Sequence, residues 1–312
     1  MKFSCAVALA GLLLALAFQR TALSAEPSVW QPSPGHTQIP IWPGVVPDVQ
    51  SVPGPESQAQ GAVTNVTRPT MTVYAPTGKN TGAAVVVFPG GGFQMLAIDL
   101  EGTEVCDWLT SKGVTCVLLK YRVPSIPYVW QCDCRPHNRS ISTPSLEDAQ
   151  RTLRLVRAHA TEWRIDPHKV GVLGFSAGGY LVAEVSTRFK SRLYVPVDAA
   201  DHESSRPDFA IAIYPGHLAL AENSIALNPN VKSHITPQTP PTFLLQNEDD
   251  HVDSVEDALS YYMGLKEANV PVELHAYAQG GHAFGLRPSK LPVSGWPQLV
   301  EKWLRTIGML SE

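Results

Sequence analysis

Ser176 lies in GFSAGG, where the apolar run KVGVLGF gives way to AGGYLVAEV and its helical pattern. A serine between glycines adds nothing to packing, and the glycines weaken any helix they enter. Together these residues form a strand, a small-residue turn and a helix carrying G-x-S-x-G, here Gly174, Phe175, Ser176, Ala177 and Gly178. A turn this sharp needs small neighbours and leaves the hydroxyl exposed at the C-terminal edge of a sheet, where ligands bind in such folds. A serine hydroxyl attacks a carbonyl only when a base takes its proton. A histidine, and an acid to orient it, must therefore follow.

The expected chain order is serine, acid, histidine. His282, in QGGHAFGL just after the run VELHAYA, has the position of the base. His275, inside that run, reads as a packing or hydrogen-bonding residue, and His251 comes too early. The acid must come from EDDHVDSVED, where Glu248, Asp249, Asp250 and Asp253 compete. Asp250 is preferred because it precedes the His-Val step leading into the next helix, with Asp249 as the alternative. Asp253 reads as a helix N-cap, with Glu256 three residues on. An oxyanion needs backbone donors on a second loop where no side chain blocks approach. FPGGGF, residues 88–93, supplies them: Gly91 and Gly92 join the Ala177 amide at the helix N-terminus.

Positioning these groups requires alternating elements. Strands are predicted at TMTVYAP, AAVVVFP, VTCVLLKYRV, KVGVLGF, DFAIAIYP, PTFLLQN and VELHAYA. Helices are predicted at GTEVCDWLTSKG, SLEDAQRTLRLVRAHATEW, SAGGYLVAEVSTRFK, SVEDALSYYMGLKEA and WPQLVEKWLRTIGML. Uninterrupted apolar strands suit a sheet covered on both faces, so the alternation implies an α/β fold with a mostly parallel central sheet. The 312 residues, 44% hydrophobic and 17% charged, suffice for a substantial core.

Residues 1–25 begin with Lys2, continue through an apolar run over 6–18 and end in small residues at 22–25, as a cleaved secretory signal does. The run is short for a membrane span, so stable membrane insertion is not expected. Removing this segment takes Lys2 and Arg20 and no acid, and the net charge of −4 becomes −6. With no basic tract, nucleic acid is excluded as a partner. Residues 26–66, rich in Pro, Gly and Gln, read as an extended N-terminal arm, and 67–312 as one catalytic domain. Cys106, Cys116, Cys132 and Cys134 remain, an even number for an oxidising, periplasmic or extracellular setting, with their connectivity open.

The chain resembles α/β-hydrolases of the esterase/lipase type, close to the acetyl-xylan-esterase-like and hormone-sensitive-lipase-like groups and related to dienelactone hydrolases and prolyl oligopeptidases. The resemblance runs from Thr70 to Leu310. It rests on FPGGGF, KYRVP at 120–124, LEDAQR at 146–151, GFSAGG, NEDDHV and GGHAFGLR. Pro89 stands where the lipase-type loop usually has histidine. The resemblance implies an α/β-hydrolase fold, hydrolysis of carboxylic esters without a cofactor, and acetylated plant polysaccharide as a natural substrate.

Residues 124–145, irregular and leaving the active edge of the sheet, read as a partial lid, with Tyr128 and Trp130 as substrate contacts. Phe93, Tyr180 and Tyr214 are further pocket candidates. Cys132, Cys134 and His137 lack a usual zinc spacing, so no metal is expected there. The expected activity is hydrolysis of short acyl esters, with a small ester or acetylated carbohydrate as partner and the oligomeric state open. A prolyl-oligopeptidase-like peptidase is the alternative; fewer than seventy residues precede the core, too few for the propeller such peptidases usually carry. An inactive hydrolase-fold binding protein is the third reading, and it has no need of serine, acid and histidine together.

Overall fold

The runs AVVVF and VGVLGF have no polar interruption, as strands covered on both faces require, and every residue in them is buried. The computed structural model describes residues 29–49, 52–123 and 139–311, and, of residues 139–142, the backbone only. In chain order the strands are β1 (Ile39–Pro40), β2 (Ser57–Ala59), β3 (Ala62–Thr64), β4 (Thr70–Tyr74), β5 (Ala84–Phe88), β6 (Met95–Leu96), β7 (Thr115–Lys120), β8 (Val170–Phe175), β9 (Ala210–Ile213), β10 (Thr242–Asn247) and β11 (Val272–Tyr277). The helices are α1 (Glu104–Ser111), α2 (Arg139–Ala158), α3 (Ala177–Thr187), α4 (Pro229–Lys232), α5 (Val255–Glu267) and α6 (Trp296–Thr306).

Eight strands form one sheet in the order β1-β4-β7-β5-β8-β9-β10-β11, antiparallel at β1/β4 and β4/β7 and parallel from β7 onward. The chain order reverses between β5 and β8, so their loops leave the sheet in different directions and open a crevice at its C-terminal edge. Side chains on β8 alternate between the faces. A Cβ on Gly174 would meet Gly178 O and Val182 of α3, whereas the Phe175 ring packs against Trp296 of α6 at 6.1 Å. Those helices therefore lie on opposite faces. Trp108 brings α1 against Trp296, and Trp303 joins Phe209 and Phe243 on the same side.

All seven predicted strands and five predicted helices are present, and the structure adds detail that composition conceals. The expected arm is more ordered than its proline content implies: β1 pairs with β4, and β2 and β3 form a hairpin that β6 extends into a three-stranded sheet. Trp30, Ile41 and Trp42 are buried, and α2 reaches back to hold this segment. Trp42 Nε1 donates to Asp148 Oδ1 at 2.8 Å, and Arg151 Nε donates to Ile41 O at 3.0 Å. Cys106 and Cys116 form a disulfide joining α1 to β7. Residues 139–145 of the predicted lid open α2; residues 1–25, and the rest of the lid with Tyr128, Trp130, Cys132, Cys134 and His137, lie outside the described residues. Among the described residues no helix is long and apolar enough to cross a membrane.

Arg122, in the KYRVP segment, ties these parts together. Its Nε lies 2.9 Å from Asp148 Oδ2, and one terminal nitrogen bonds both Glu147 Oε2 and Pro144 O at 2.9 Å. The other donates to Pro47 O in the arm. Deleting one partner of such a buried pair strands the remaining charge, at a cost of about 3 to 5 kcal/mol. Arg122→Ala should lower the unfolding free energy by that amount in urea titration. A loss below about 1 kcal/mol, the scale of exposed pairs, would contradict this role.

Candidate active site

Ser176 immediately follows β8 with φ 50° and ψ −120°, a conformation strained for any residue with a Cβ. Its neighbours explain how the strain is accommodated. A Cβ at Gly174 would lie 2.2 Å from Gly178 O, and one at Gly178 would lie 2.1 Å from Phe88 O on β5. Both glycines are thus required by the close approach of α3 to the sheet. Ser176 N donates to Ile213 O at 3.1 Å, and Ser176 O accepts from Tyr180 N at 3.0 Å. Ala177 opens α3, so its amide has no partner within the helix.

The loop after β5 turns beside this serine. Gly91 and Gly92 have φ of 130° and 63°, and Gly91 O accepts from Gln94 N and Met95 N at 3.0 and 3.1 Å. Gly90 N is already engaged, donating to Glu101 Oε2 at 2.6 Å, while Gly91 and Gly92 line a cleft of about 310 Å³ with Ser176 and His282. Glu101 sits in a π-helical turn, Asp99–Thr103, and is 2% exposed. Its other oxygen accepts from Tyr214 Oη at 2.9 Å. Burial raises its pKa, against the hydrogen bonds from Tyr214 and Gly90 and the charge of His282.

The acids of the loop after β10 divide their tasks. His282 Nδ1 donates to Asp250 Oδ2 at 2.7 Å, which leaves Nε2 with its lone pair toward the cleft. Asp250 Oδ1 accepts from Val252 N and Asp253 N at 2.9 and 3.1 Å. Asp249, the alternative acid, instead accepts from Gly280 N and Gly281 N at 2.9 and 2.7 Å and so shapes the loop that carries His282. His275 lies 2.7 Å from Glu273 and stacks on Phe243, as expected of a packing residue.

Asp253 overturns its sequence reading. Ser254, not Asp253, occupies the N-cap position of α5. The Asp253 carboxylate turns into the site, where Oδ2 accepts from Ser176 Oγ at 3.2 Å and lies 3.8 Å from His282 Nε2. Hydroxyl and imidazole thus flank one oxygen. Burial, reinforced by the charge of Asp257, pushes Asp253 up to about 7; His282 and the Ser176 hydroxyl oppose the shift. Glu101 and Asp253 both escaped sequence reasoning. Nothing in the stretch AIDLEGTEV separates Glu101 from Asp99 and Glu104, whereas the redundancy of Asp253 beside Ser254 as a cap is a signal for Asp253.

The aromatic pocket candidates are corrected as well. Phe93, Tyr180 and Tyr214 are buried, and none lines the cleft. Phe93 packs between Tyr121 and Tyr180 in edge-to-face contacts, and Tyr214 backs the His282 ring at 4.9 Å. Their size places them in the core, where they support the loops from behind.

Burial by itself lowers the His282 pKa, but the hydrogen bond to Asp250 and the charges of Asp253, Asp250 and Glu101 outweigh it and raise the value. The His282 ring proton should therefore titrate by NMR above the ordinary imidazole midpoint of about 6.5. Asp250→Asn should bring the midpoint down. A midpoint at or below 6.5 in the unaltered protein would contradict this balance of charges.

Two family models match: the BD-FAE family over residues 71–215 and the prolyl oligopeptidase family over residues 145–304. An acetylxylan esterase of Xylanibacter ruminicola is 30% identical over 217 residues, which are 66% of this chain and 42% of that protein. The chain thus spans less than half the length of that curated relative. A crystal structure of an acetyl ester-xyloside bifunctional hydrolase from Caldicellulosiruptor lactoaceticus superposes with a TM-score of 0.71 at 32% identity, covering 88% of this chain and 97% of that one. A thermophilic esterase from Thermogutta terrifontis has the same fold, with a TM-score of 0.63 at 23% identity over 81% of this chain and 94% of its own.

Proposed function

Because the chain belongs to the α/β-hydrolase superfamily, in its acetyl-xylan-esterase-like group, we propose that it is a secreted serine carboxylic ester hydrolase for short, acetyl-type acyl groups, with acetylated plant polysaccharide as its natural substrate. The observation that carries this reading is the His282 imidazole, held at Nδ1 by Asp250 and facing the same cleft as the Ser176 hydroxyl and the glycine loop. In this mechanism the hydroxyl turns from Asp253 to His282 Nε2, gives up its proton and attacks the ester carbonyl. The Ala177, Gly91 and Gly92 amides receive the oxyanion. His282 returns the proton to the leaving alcohol, and water, activated by the same imidazole, releases the acid.

Ser176→Ala should lower kcat by about 10⁶-fold on a p-nitrophenyl acetate substrate, and Asp250→Asn by about 10⁴-fold, since the wrong imidazole tautomer is then favoured. Activity of the serine variant within tenfold of the unaltered enzyme would remove the reading. The prolyl oligopeptidase match over residues 145–304 supports a second reading as a peptidase. Acetylated xylan and a proline-containing amide, assayed side by side, separate the two. Ester turnover without amide turnover is the expected result; no turnover of either would leave only a binding protein.

Secretion is supported by the character of residues 1–25 and by a disulfide in the folded core. Expression in the native host should yield protein outside the cytoplasm whose amino terminus lies near Glu26 by N-terminal sequencing. A cytoplasmic protein that keeps residues 1–25 would refute it.

A further inference from the structure

Asp253 has no task in the mechanism just described. Its main-chain oxygen accepts from Gln246 Nε2 at 2.6 Å, so the loop is anchored without its side chain. The carboxylate, 3% exposed in a site where negative charge must develop, works against the oxyanion. The fold nevertheless makes room for it. A Cβ on Gly216 would lie 2.2 Å from Asp253 Oδ1, so glycine at 216 is what admits the carboxylate, and His217 Nε2 lies 3.6 Å from the same oxygen.

We propose that Asp253 is a specificity-determining residue that accepts a hydrogen bond from a free hydroxyl on the carbon next to the esterified one, selecting esters of vicinal diols such as sugars. The inference rests on the ester-hydrolase reading above and deepens it. His282 Nε2 delivers the proton to the leaving oxygen, so that oxygen must come within hydrogen-bond distance of Nε2. Asp253 Oδ2, 3.8 Å from Nε2, is then beside the leaving alcohol, with the acyl oxygen turned toward the glycine loop. A hydroxyl one carbon away from the leaving oxygen reaches it; a plain alkyl chain or an ether has no proton to offer.

The resting enzyme carries a stand-in for that hydroxyl, because Ser176 Oγ donates to the same oxygen at 3.2 Å. Arrival of the substrate hydroxyl displaces the serine proton from Asp253 and frees it to point at His282. Esters lacking the hydroxyl leave a buried carboxylate partly unsatisfied and the nucleophile misdirected, and both effects act against them.

The test, run at about pH 8.5 where the Asp253 carboxyl is ionised, compares kcat/KM for glycol monoacetate with that for its methyl ether, and for a monoacetylated methyl xyloside with its O-methylated analogue. In the unaltered enzyme the hydroxylated member of each pair should be favoured by about 10- to 100-fold, the scale of one hydrogen bond to a charged group. Asp253→Ala should collapse that ratio toward unity whatever happens to the absolute rates. Asp253→Asn, which keeps a neutral acceptor, should fall between. A ratio near unity in the unaltered enzyme, a measurement that needs no variant, or a ratio unchanged in Asp253→Ala overturns the proposal. Ser176→Ala distinguishes the two levels. Loss of ester turnover in that variant, together with a flat ratio in the unaltered enzyme, sinks this inference alone, whereas retained turnover in the variant sinks the ester-hydrolase reading with it.

Discussion

The left-handed backbone at Ser176 is the constraint on which the site depends, and it is held by packing at a distance from the hydroxyl. The first turn of α3 lies so close to β5 and β8 that Gly178 has no room for a side chain against Phe88 O, nor Gly174 against Gly178 O. That closeness turns the helix N-terminus toward the cleft and brings the loop after β5 alongside it. Strain of this kind, of order 1 to 3 kcal/mol, persists only where the surroundings over-determine it. Here the surroundings are a buried parallel sheet that sets Phe88 opposite Gly174 and Phe175 opposite Ile213.

Three carboxylates surround one imidazole, and their environments set them different tasks. Asp250 holds Nδ1 directly. Glu101 faces His282 from the π-helical turn but spends both oxygens on Gly90 N and Tyr214 Oη, which ties the glycine loop to the aromatic ring behind the histidine. Asp253 alone spends its oxygen on the nucleophile. Burial disfavours the charged forms of Glu101 and Asp253, and the His282 imidazole is the cationic partner that opposes both shifts. The loop after β5, the loop after β10 and the loop after β11 are therefore coupled electrostatically as well as sterically.

Much of the fold was legible because its strands are continuous apolar runs and its helices carry regular apolar spacing. The serine was legible because G-x-S-x-G sits between one of each. The acid loop was less so: Asp249, Asp250 and Asp253 are chemically identical and lie within five residues, so their tasks are decided by backbone path, which no residue type encodes. Asp253 was misread for the reason that makes it informative, since an acid before a helix satisfies a local rule even when its side chain serves a distant partner. Phe93, Tyr180 and Tyr214 show the converse. Aromatic residues near a site in sequence are drawn into the core by their size. The arm was misjudged because prolines hide strands of two or three residues, while Trp30 and Trp42 supplied the burial.

That arm has a consequence for how the molecule tolerates change. The hairpin of β2 and β3 pairs Val63 with Leu96 and Thr64 with Met95, and Gly61 O accepts from Asp99 N at 3.2 Å. The segment that looks like a tether is thus a splint on the outside of the loop bearing the glycine amides, and it clamps the start of the π-helical turn. Domain grafts or truncations that cut into this splint would loosen the amides while leaving serine, acid and histidine untouched, and because Trp30, Trp42 and Pro47 ahead of the hairpin are themselves buried or bonded to the core, modular exchange at this end of the chain is confined to the residues before Trp30.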